Sequence, residues 1–485
     1  MLYPEIIHHG ATQGVTGSCH QLCIDAEHSF LIDCGLFQGS DVSNGKEAAA
    51  AQSAVLFSLK TIKALIVTHV HADHIGRIPQ LLAAGFSGPI LCSEPSAQLM
   101  PLVLEDAFRL QFGGTQKEAD QYLELIAKRT IALPFNTWFE LLSSPELTCR
   151  VRLQRAGHVL GSAYVECDMV YHLENREQRV VFSGDLGASH TPILPSPQSP
   201  ERADVLLLES TYGDRLHEDR TTRHLRLEQA IDKALEDNGT ILIPAFSLGR
   251  TQELLYEIED ILHRKALVDK SYSAEEDQPA ETVNWPQLPI ILDSPLASRI
   301  TKVYQQFDDI WDAEASARTE SSRKPLKFSQ LITIDSHDQH LRTVNYLAST
   351  GRPAIVIAGH GMCAGGRIVN YLKAMLGDSR HNVIFVGYQA KGTPGAALQS
   401  HGAGGGYVEL DKERYVVRAA ITTLGGYSAH ADQQGLVDFV TGMDQWPSEI
   451  RLVHGEAGAK KALADVLRRK YSLSKREGDV VIAGK

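Results

Sequence analysis

The stretch THVHADH, at residues 68–74, decides how this chain is interpreted. It follows directly on an apolar run, and side chains alternate along a strand, so the strand end presents His69 and His71 to the same side. Asp73 and His74 then begin the following helix and can turn toward a second point nearby. Four ligand-type side chains within six residues fit two adjacent divalent ions better than one. Such ligands suit zinc first, then manganese or iron.

Further candidate residues stand at the ends of apolar runs or between glycines. They are Asp33 in LIDCG, His158 in AGHVLGSA, Asp185 in FSGDLG, Glu209 in LLLES, His430 in GGYSAHAD and His454 in LVHGE. An acid that closes a hydrophobic strand is unusual unless something pairs with it. Taken alone, each of these residues also has an ordinary structural interpretation, as Asp33 does as a turn residue.

Length and composition restrict the class of protein. A chain of 485 residues exceeds what one hydrophobic core usually supports, so two domains, or one domain with a large insertion, are expected. The 43% hydrophobic and 22% charged composition excludes a disordered, collagen-like or coiled-coil chain. No apolar run is long enough to cross a bilayer, the start lacks signal-peptide features, and the seven cysteines include no CxxC pair. These features predict a soluble cytoplasmic protein without a membrane partner.

The formal charge of −12 argues against a general nucleic-acid coat protein, because no net positive field attracts phosphates. It does not exclude an enzyme acting on nucleic acid. A small cleft with bound cations can handle a phosphate inside an acidic protein.

The pattern of apolar runs changes along the chain. The first two hundred residues alternate short strands, tight turns and a few helices, which indicates a mixed α/β layer architecture. From about residue 220, longer βα units contain apolar strands typical of a parallel sheet buried on both faces, at 240–246, 289–295, 353–359 and 382–389. Polar stretches at 268–287 and 314–327 are predicted as surface loops, and 401–406 as a linker. Beyond it, strands are predicted at 414–424 and 449–455 and a helix at 459–470.

Taken together, these residues resemble a known family. His69-x-His71-x-Asp73-His74, followed by His158 and Asp185, resembles the ordered ligand set of the metallo-β-lactamase fold, and Asp33 matches its first acidic motif. Glu209, His430 and His454 resemble the three motifs of the β-CASP subgroup. The resemblance includes PAFSLGRTQE (244–253), DSPLA (293–297), GHGMCAGGR (359–367) and VGYQAKGT (386–393), and so spans nearly the entire chain. The family comprises nucleases such as RNase J and the polyadenylation endonuclease, and this chain looks most like the short bacterial type.

The resemblance implies an αββα metallo-β-lactamase sandwich with an inserted βα-rich β-CASP cap. The expected bounds are 1–208 and 402–485 for the sandwich domain and 209–401 for the cap. An active site is expected in the cleft between the two domains. RNA is expected to enter as a single strand, because a deep cleft does not admit a stacked duplex to the metals.

The resemblance also implies the roles of the site residues. Two Zn²⁺ ions are expected, with Mn²⁺ as an alternative; His69, His71 and His158 hold one ion, Asp73, His74 and His454 hold the other, and Asp185 bridges them. Asp73 also orients the attacking hydroxide. Asp33 is expected to fix the tautomer of a ligating histidine without binding metal itself. Glu209 keeps His430 charged, so that His430 acts as the general acid for the leaving oxygen.

Substrate contacts are predicted at Ser428, Arg250 and His360. The other interpretation of Arg250 is a solvated arginine at a helix start. His360 and Gly359 depart from the family motif, where serine or threonine is usual, and Ser247 stands where alanine is usual. These departures fall in the predicted cap and leave the metal ligands intact.

His454 favours RNA as the substrate, since family members that act on DNA tend to carry valine at this position. The alternatives are a hydrolase of a small ester or thioester, a DNA nuclease, and a catalytically silent scaffold of an RNA-processing complex. The first leaves Glu209 and His430 without a role, and the last should lack metal ligands. Cleavage within the RNA and cleavage from its 5′ end are both compatible with the sequence, as are a monomer and a homo-oligomer.

Overall fold

The computed structural model describes residues 3–42, 52–112, 115–272, 287–401 and 405–484. The chain divides into two compact units. The first unit comprises Met1–Ser189, Leu194–Leu216 and Ala429–Lys485, and the second comprises His190–Ile193 and His217–Ser428.

The strands of the described residues are numbered in chain order. They are β1 (Glu5–His8), β2 (His20–Cys23), β3 (Ser29–Ile32), β4 (Ile62–Ile66), β5 (Ile90–Ser93), β6 (Thr130–Leu133), β7 (Phe139–Ser143), β8 (Leu147–Arg155), β9 (Ala163–Tyr171), β10 (Arg176–Phe182), β11 (Val205–Leu208), β12 (Thr240–Pro244), β13 (Ile290–Asp293), β14 (Leu331–Thr333), β15 (Ala354–Ala358), β16 (Asn382–Phe385), β17 (Tyr407–Leu410), β18 (Glu413–Val416), β19 (Ala420–Thr423), β20 (Glu449–Leu452) and β21 (Asp479–Ile482).

The helices are numbered in the same way. They are α1 (Ala72–Ile75), α2 (Ile78–Ala83), α3 (Glu94–Phe112), α4 (Gln116–Arg129), α5 (Arg223–Glu236), α6 (Arg250–Tyr272), α7 (Pro295–Gln306), α8 (Ala313–Glu320), α9 (His337–Thr350), α10 (Arg367–Met375), α11 (Pro394–His401), α12 (Gln433–Thr441) and α13 (Ala457–Leu473). Two short 3-10 turns lie at Gly39–Asp41 and Asp308–Ile310.

The first unit is a sandwich of two sheets. One sheet has the order β1-β2-β3-β4-β5-β6 and the other β21-β20-β11-β10-β9-β8-β7. Their inner faces share one apolar cluster, in which Phe30 and Ile66 of the first sheet pack with Val165 and Phe182 of the second. Helix α3 contacts β5 and β6, while α12 and α13 pack on the outer face of the second sheet. This is the αββα arrangement, so the predicted fold class is confirmed.

Strand β8 shows why these residues form a half-buried strand. Its residues alternate, with Cys149, Val151 and Leu153 fully buried and the intervening Arg150 and Arg152 directed outward. A period of two places one face on the core and the other toward polar surroundings.

The second unit contains a parallel sheet in the order β14-β13-β15-β12-β16-β19. Strands β12, β13, β15 and β16 are buried at every position, as expected when helices cover both faces. Several of these helices begin with defined caps. Ser294 caps α7, and Ser336 with Gln339 forms a capping box at α9.

Four expectations about local structure need correction or fall partly outside the described residues. The predicted loop at 314–327 begins with helix α8, because Asp312 accepts a hydrogen bond from the Ala315 N–H and caps a run of good helix formers. Residues 268–272 of the other predicted loop extend α6, while 273–286 lie outside the described residues. The linker predicted at 401–406 starts within α11, and its residues 402–404 are likewise outside them. The single strand predicted at 414–424 is two strands, β18 and β19.

The bounds of the compact units differ from the expected domain bounds. Residues 209–216 belong to the first unit, and 405–428 to the second. The second difference has a clear cause, because β19 pairs in parallel with β16 and so extends the parallel sheet. The expected domain bounds stay a prediction.

All seven cysteines are buried and unpaired, consistent with the absence of a disulfide pattern in the sequence. In the part of the chain that the structure describes, no helix combines the length and apolar character needed to span a membrane.

Candidate metal centre and active site

The candidate ligands come from segments that follow or precede strands of the first unit. Strands β10, β11 and β20 are parallel neighbours, so Asp185, Glu209 and His454, which follow them, meet at one edge of the second sheet. In the first sheet, β4 leads to His69, and α1 begins immediately after His71. The sequence thus brings ligand-type side chains together from both sheets of the sandwich.

The first group comprises His69, His71, His158 and Asp185, whose ligand atoms all lie within 4.8 Å of one another. Nδ1 of His71 is 3.0 Å from Nε2 of His69 and 3.2 Å from Nε2 of His158. Oδ2 of Asp185 is 3.5 Å from Nε2 of His69 and 3.6 Å from Nε2 of His158. Three imidazoles and one carboxylate oxygen therefore converge on a single point.

The second group comprises Asp73, His74 and His454. Nε2 of His454 is 3.3 Å from Nε2 of His74 and 3.5 Å from Oδ2 of Asp73. The other carboxylate oxygen of Asp185, Oδ1, lies 3.3 Å from Nε2 of His74. The two oxygens of one carboxylate thus face the two groups separately.

The residues present fit bound cations. Oδ1 of Asp185 is buried and makes no hydrogen bond with any described residue, which is costly for a carboxylate without a cation. Burial lowers the pKa of His71 to about 4 and holds the pKa values of His69 and His158 well below the usual histidine value. These imidazoles are therefore neutral at pH 7, the form that binds metal. Neutral imidazole and carboxylate donors suit zinc, and manganese as an alternative.

Asp33 is hydrogen-bonded to the imidazole of His74. Oδ2 of Asp33 is 2.8 Å from Nδ1 of His74, so the imidazole donates from Nδ1 and its Nε2 is left facing the second group. Thr68 donates to both oxygens of Asp33, from its backbone N–H at 2.8 Å and from its hydroxyl at 2.8 Å. This arrangement supports the expected role of Asp33 in fixing a histidine tautomer.

Asp33→Asn is expected to weaken metal binding by roughly 10–100-fold, as is usual for an outer partner of a ligating histidine. Both carboxylate oxygens accept hydrogen bonds, so the amide NH₂ of asparagine must face a donor. Competition with a calibrated chelator measures the effect. Asp25→Asn is the matched control, because Asp25 accepts hydrogen bonds in a surface turn away from the ligands. Equal metal affinity for both variants would contradict the role of Asp33.

His430 lies beside the first group and is held by Glu209. Its Nδ1 is 3.2 Å from each oxygen of Glu209, and its Nε2 is 3.8 Å from Oδ2 of Asp185. Burial lowers the pKa of His430, but the carboxylates of Glu209 and Asp185 together raise it to about 9. The imidazole is therefore charged at neutral pH in this arrangement and presents an Nε2–H toward the metal groups.

Glu209 and His430 also form a third group of ligand-type atoms with Asp185. Glu209 is fully buried, and its two oxygens accept hydrogen bonds from the backbone N–H groups of Leu186 at 2.7 Å and Thr211 at 3.3 Å. A carboxylate fixed in this way is suited to accept a hydrogen bond from His430. Direct metal binding by His430 is the competing interpretation.

The comparisons with known proteins agree with this geometry. Residues 16–245 match the metallo-beta-lactamase superfamily, residues 251–398 the Beta-Casp domain, and residues 414–482 the Zn-dependent metallo-hydrolase RNA specificity domain. The chain is 33% identical over 468 residues to Ribonuclease TTHA0252 of Thermus thermophilus, with 96% of both chains covered. The chain belongs to the β-CASP ribonucleases of the metallo-β-lactamase superfamily. The resemblance found in the motifs is thereby confirmed.

Longer relatives of this β-CASP protein exist in archaea. The transcription termination factor FttA of Methanocaldococcus jannaschii is 28% identical over 456 residues, which cover 91% of this chain and 65% of the factor. FttA of Pyrococcus abyssi is 29% identical over 438 residues, which cover 86% of this chain and 60% of the factor. The chain therefore spans less than two thirds of either archaeal factor.

The predicted substrate contacts all lie in the second unit of this β-CASP protein. Arg250 is 8% exposed and its Nη1 donates to Glu253 at 2.5 Å, so its interpretation as a solvated arginine is wrong. The backbone carbonyl of Ser428 accepts a hydrogen bond from Arg220 at 2.7 Å. His360 is exposed, and its Nδ1 accepts from the Met362 N–H at 3.2 Å. Contact with substrate stays a prediction for all three.

Two of the departures from the family motifs lie close together. The hydroxyl of Ser247 is 3.1 Å from that of Ser294, and a Cβ built on Gly359 would lie 3.7 Å from the Ser247 hydroxyl and 3.5 Å from the Ser294 hydroxyl. A hydroxyl on residue 247 therefore occupies the neighbourhood that a serine at 359 would reach.

Sequence reasoning missed the residues that fix the ligands in place. Gly35 is one, because any Cβ there would collide with the carbonyl oxygen of Asp73. The Cys34 N–H donates to the carbonyl of His74 at 2.8 Å, so the segment after β3 is bound to α1. Thr211 is a second residue that fixes a ligand, because its hydroxyl is 3.2 Å from Nδ1 of His454. Gly35, two residues after Asp33, was the available signal for the first contact, whereas Thr211 carried none.

Proposed function

We propose that this protein is a zinc-dependent ribonuclease that hydrolyses phosphodiester bonds of single-stranded RNA in RNA processing or decay. The observation that carries the proposal is the placement of Asp185, whose Oδ2 faces His69 and His158 while its Oδ1 faces His74. One carboxylate shared between two groups of nitrogen ligands suits a pair of divalent ions. Paired ions are typical of enzymes that hydrolyse phosphodiesters.

His69, His71 and His158 would hold one ion, Asp73, His74 and His454 the other, and Asp185 would bridge them. Bound zinc supplies a Lewis acid for the phosphate and lowers the pKa of water toward neutrality. Asp73 is only partly buried, which is compatible with a second proposed role in orienting the attacking water. Asp33 would hold His74 in the tautomer that leaves Nε2 available as a metal ligand.

His430 would donate a proton to the leaving oxygen. Its Nδ1 is held by Glu209, so the imidazole ring is fixed and its Nε2 carries the transferable proton. A positioned general acid usually contributes about 10²–10⁴-fold to the rate. The hydrolysis of a small ester with an acidic leaving group needs no such donor, which favours a phosphodiester as the substrate.

RNA is favoured over DNA by three observations. The relative from Thermus thermophilus is described as a ribonuclease, and residues 414–482 match a domain described by RNA specificity. His454, in the third β-CASP motif, is the residue type of the RNA-processing members. A single-stranded substrate, a cytoplasmic location and a homo-oligomeric state stay predictions.

The test compares three substrates with one purified sample, namely labelled single-stranded RNA, single-stranded DNA of the same sequence and a chromogenic thioester. We expect the RNA to be cleaved, with the activity lost in a chelator and restored by added zinc or manganese. Preferential hydrolysis of the thioester would overturn the proposal, and preferential cleavage of the DNA would reassign the substrate. Inactivity of the zinc-loaded protein on all three would favour a scaffold.

The mode of cleavage is tested on one RNA labelled separately at each end, with hydroxyl, monophosphate and triphosphate 5′ termini compared. Internal cleavage gives the same fragments whatever the terminus. Cleavage from the 5′ end releases mononucleotides and depends on the terminal phosphate. We propose that one or both of these modes operate.

A further inference from the structure

The carboxyl edge of the parallel sheet in the second unit carries exposed aromatic side chains. Strands β15, β12 and β16 are adjacent in that sheet and run in the same direction. His360 follows β15, Phe246 follows β12 and Tyr388 follows β16, each two or three residues after the strand ends. Phe246 is 44% exposed, Tyr388 is 63% exposed, and His360 is also exposed. Large apolar rings gathered at one edge usually mark a binding surface.

The ring of Phe246 is held in position. It lies against the backbone of Gly361, where an added Cβ would stand 3.0 Å from two ring atoms. The ring centroids of Phe246 and His360 are 6.2 Å apart. The backbone carbonyl of Phe246 accepts a hydrogen bond from the Thr251 hydroxyl at 2.7 Å. One side of the ring is thus packed on the protein while much of it remains exposed.

The segments that carry the three rings are joined by hydrogen bonds. The Ala245 N–H donates to the carbonyl of Ala358 at 3.1 Å, which links the ends of β12 and β15. The side-chain amide of Gln389 donates to the carbonyl of Gly361 at 2.8 Å, which links the loop of His360 to that of Tyr388. The rings are therefore presented by one connected surface.

Tyr388 has no aromatic neighbour that accounts for it. Within the described residues, its ring contacts no other aromatic ring and no arginine or lysine. Among the described residues, stacking of a flat ligand on this ring would therefore break no ring–ring or cation–ring contact.

The charge at this edge complements a polyanion. Helices α6, α7, α10 and α11 all begin here, because each follows a strand of the parallel sheet, and their N-termini carry partial positive charge. Lys391 is exposed three residues after Tyr388. Two carboxylates close to this edge are paired with arginines, since Asp293 lies 2.6 Å from Arg367 and Glu253 lies 2.5 Å from Arg250.

We propose that Phe246, His360 and Tyr388 form a stacking site for the unpaired bases of the RNA substrate. Stacked rings bind bases with little sequence preference, because every base has a π-face, while the positive edge attracts the phosphates. This inference rests on the proposed function and goes beyond it by assigning base contacts to this edge of the sheet. It also explains why an exposed histidine stands at 360, since imidazole stacks on a base and a serine hydroxyl does not.

The test measures fluorescence anisotropy at one fixed salt concentration with the full-length, zinc-loaded protein. The two probes are nuclease-resistant phosphorothioate oligomers of about twelve nucleotides. One carries uracil bases and the other is abasic with the same number of phosphates. We expect the wild-type protein to bind the base-containing probe at least about tenfold more tightly.

Phe246→Ala and Tyr388→Ala are each expected to weaken binding of the base-containing probe by about tenfold and to leave binding of the abasic probe unchanged. Tyr388→Phe keeps the ring and should bind as the wild-type protein does. Tyr346→Ala is the matched control, because Tyr346 is 49% exposed near the end of α9 and outside the proposed site. It should change neither affinity.

Equal losses on both probes would overturn the stacking site, because they would indicate a general or electrostatic defect. So would variants that bind both probes like the wild-type protein. If the wild-type protein cleaves RNA but does not distinguish the two probes, the stacking site fails while the proposed function stands. If it neither cleaves RNA nor binds either probe, the proposed function itself fails.

Discussion

Asp185→Ala is expected to lose bound metal and hydrolytic activity together. Its two oxygens face the two ligand groups separately, so removing them leaves two cations facing each other with less compensating charge. The loss of metal affinity should exceed the roughly 10–100-fold effect expected for an outer partner such as Asp33. Elemental analysis of the purified variant, alongside a phosphodiesterase assay, measures both quantities.

Asp185→Asn serves as the isosteric comparison. It keeps the size of the side chain and one carbonyl oxygen, so one ligand group should retain more metal than in the alanine variant. Full zinc occupancy in Asp185→Ala would show that this carboxylate does not bridge the ions.

His430→Ala is expected to keep its metal while turnover of RNA slows by roughly 10²–10⁴-fold, the usual contribution of general acid catalysis. The loss should shrink on a nitrophenyl phosphodiester, because that oxygen leaves without a proton. Glu209→Gln should give a milder form of the same pattern, since it weakens the pairing that keeps the imidazole charged. Metal content and both rates, measured on the same preparations, provide the comparison.

Two results would assign His430 a different role. Loss of zinc from His430→Ala would make the imidazole a metal ligand, in agreement with its place in a third group of ligand-type atoms beside Asp185. Equal slowing of both substrates would make it a phosphate contact. In either case the proton for the leaving oxygen would come from elsewhere, and water would be the first candidate.

The candidate ligands could be found in the sequence because several of the signals were local. Four of the candidate ligands follow strand β4 and lie in or just before the short helix α1, namely His69, His71, Asp73 and His74. Their spacing alone therefore restricts where their side chains can point. Asp185 and His454 required the resemblance, since only the parallel pairing of β10, β11 and β20 brings their strand ends together. The buried parallel strands of the second unit were likewise visible as short, continuous apolar runs.

The remaining features depended on contacts that a single sequence does not encode locally. Helix α8 was missed because its polar composition suggested a loop, while the cap by Asp312 was overlooked. Strand β19 was assigned to one long strand with β18, although it pairs with β16, which lies far away in the sequence. From the sequence, Arg250 could be interpreted as a solvent-exposed side chain, whereas in the structure it is buried and paired with Glu253. Tertiary pairing decided each of these cases.

The order of strands in the second sheet of the sandwich has a consequence for biosynthesis. Strands β20 and β21 come from the last part of the chain, yet β20 pairs with β11, which is made more than two hundred residues earlier. A nascent chain carries every other residue of the first two ligand groups once Asp185 has emerged, but His454 arrives only after the second unit has been translated. The second ligand group therefore stays incomplete while the second unit is translated. Assembly of the metal centre waits for β20 and the segment that follows it.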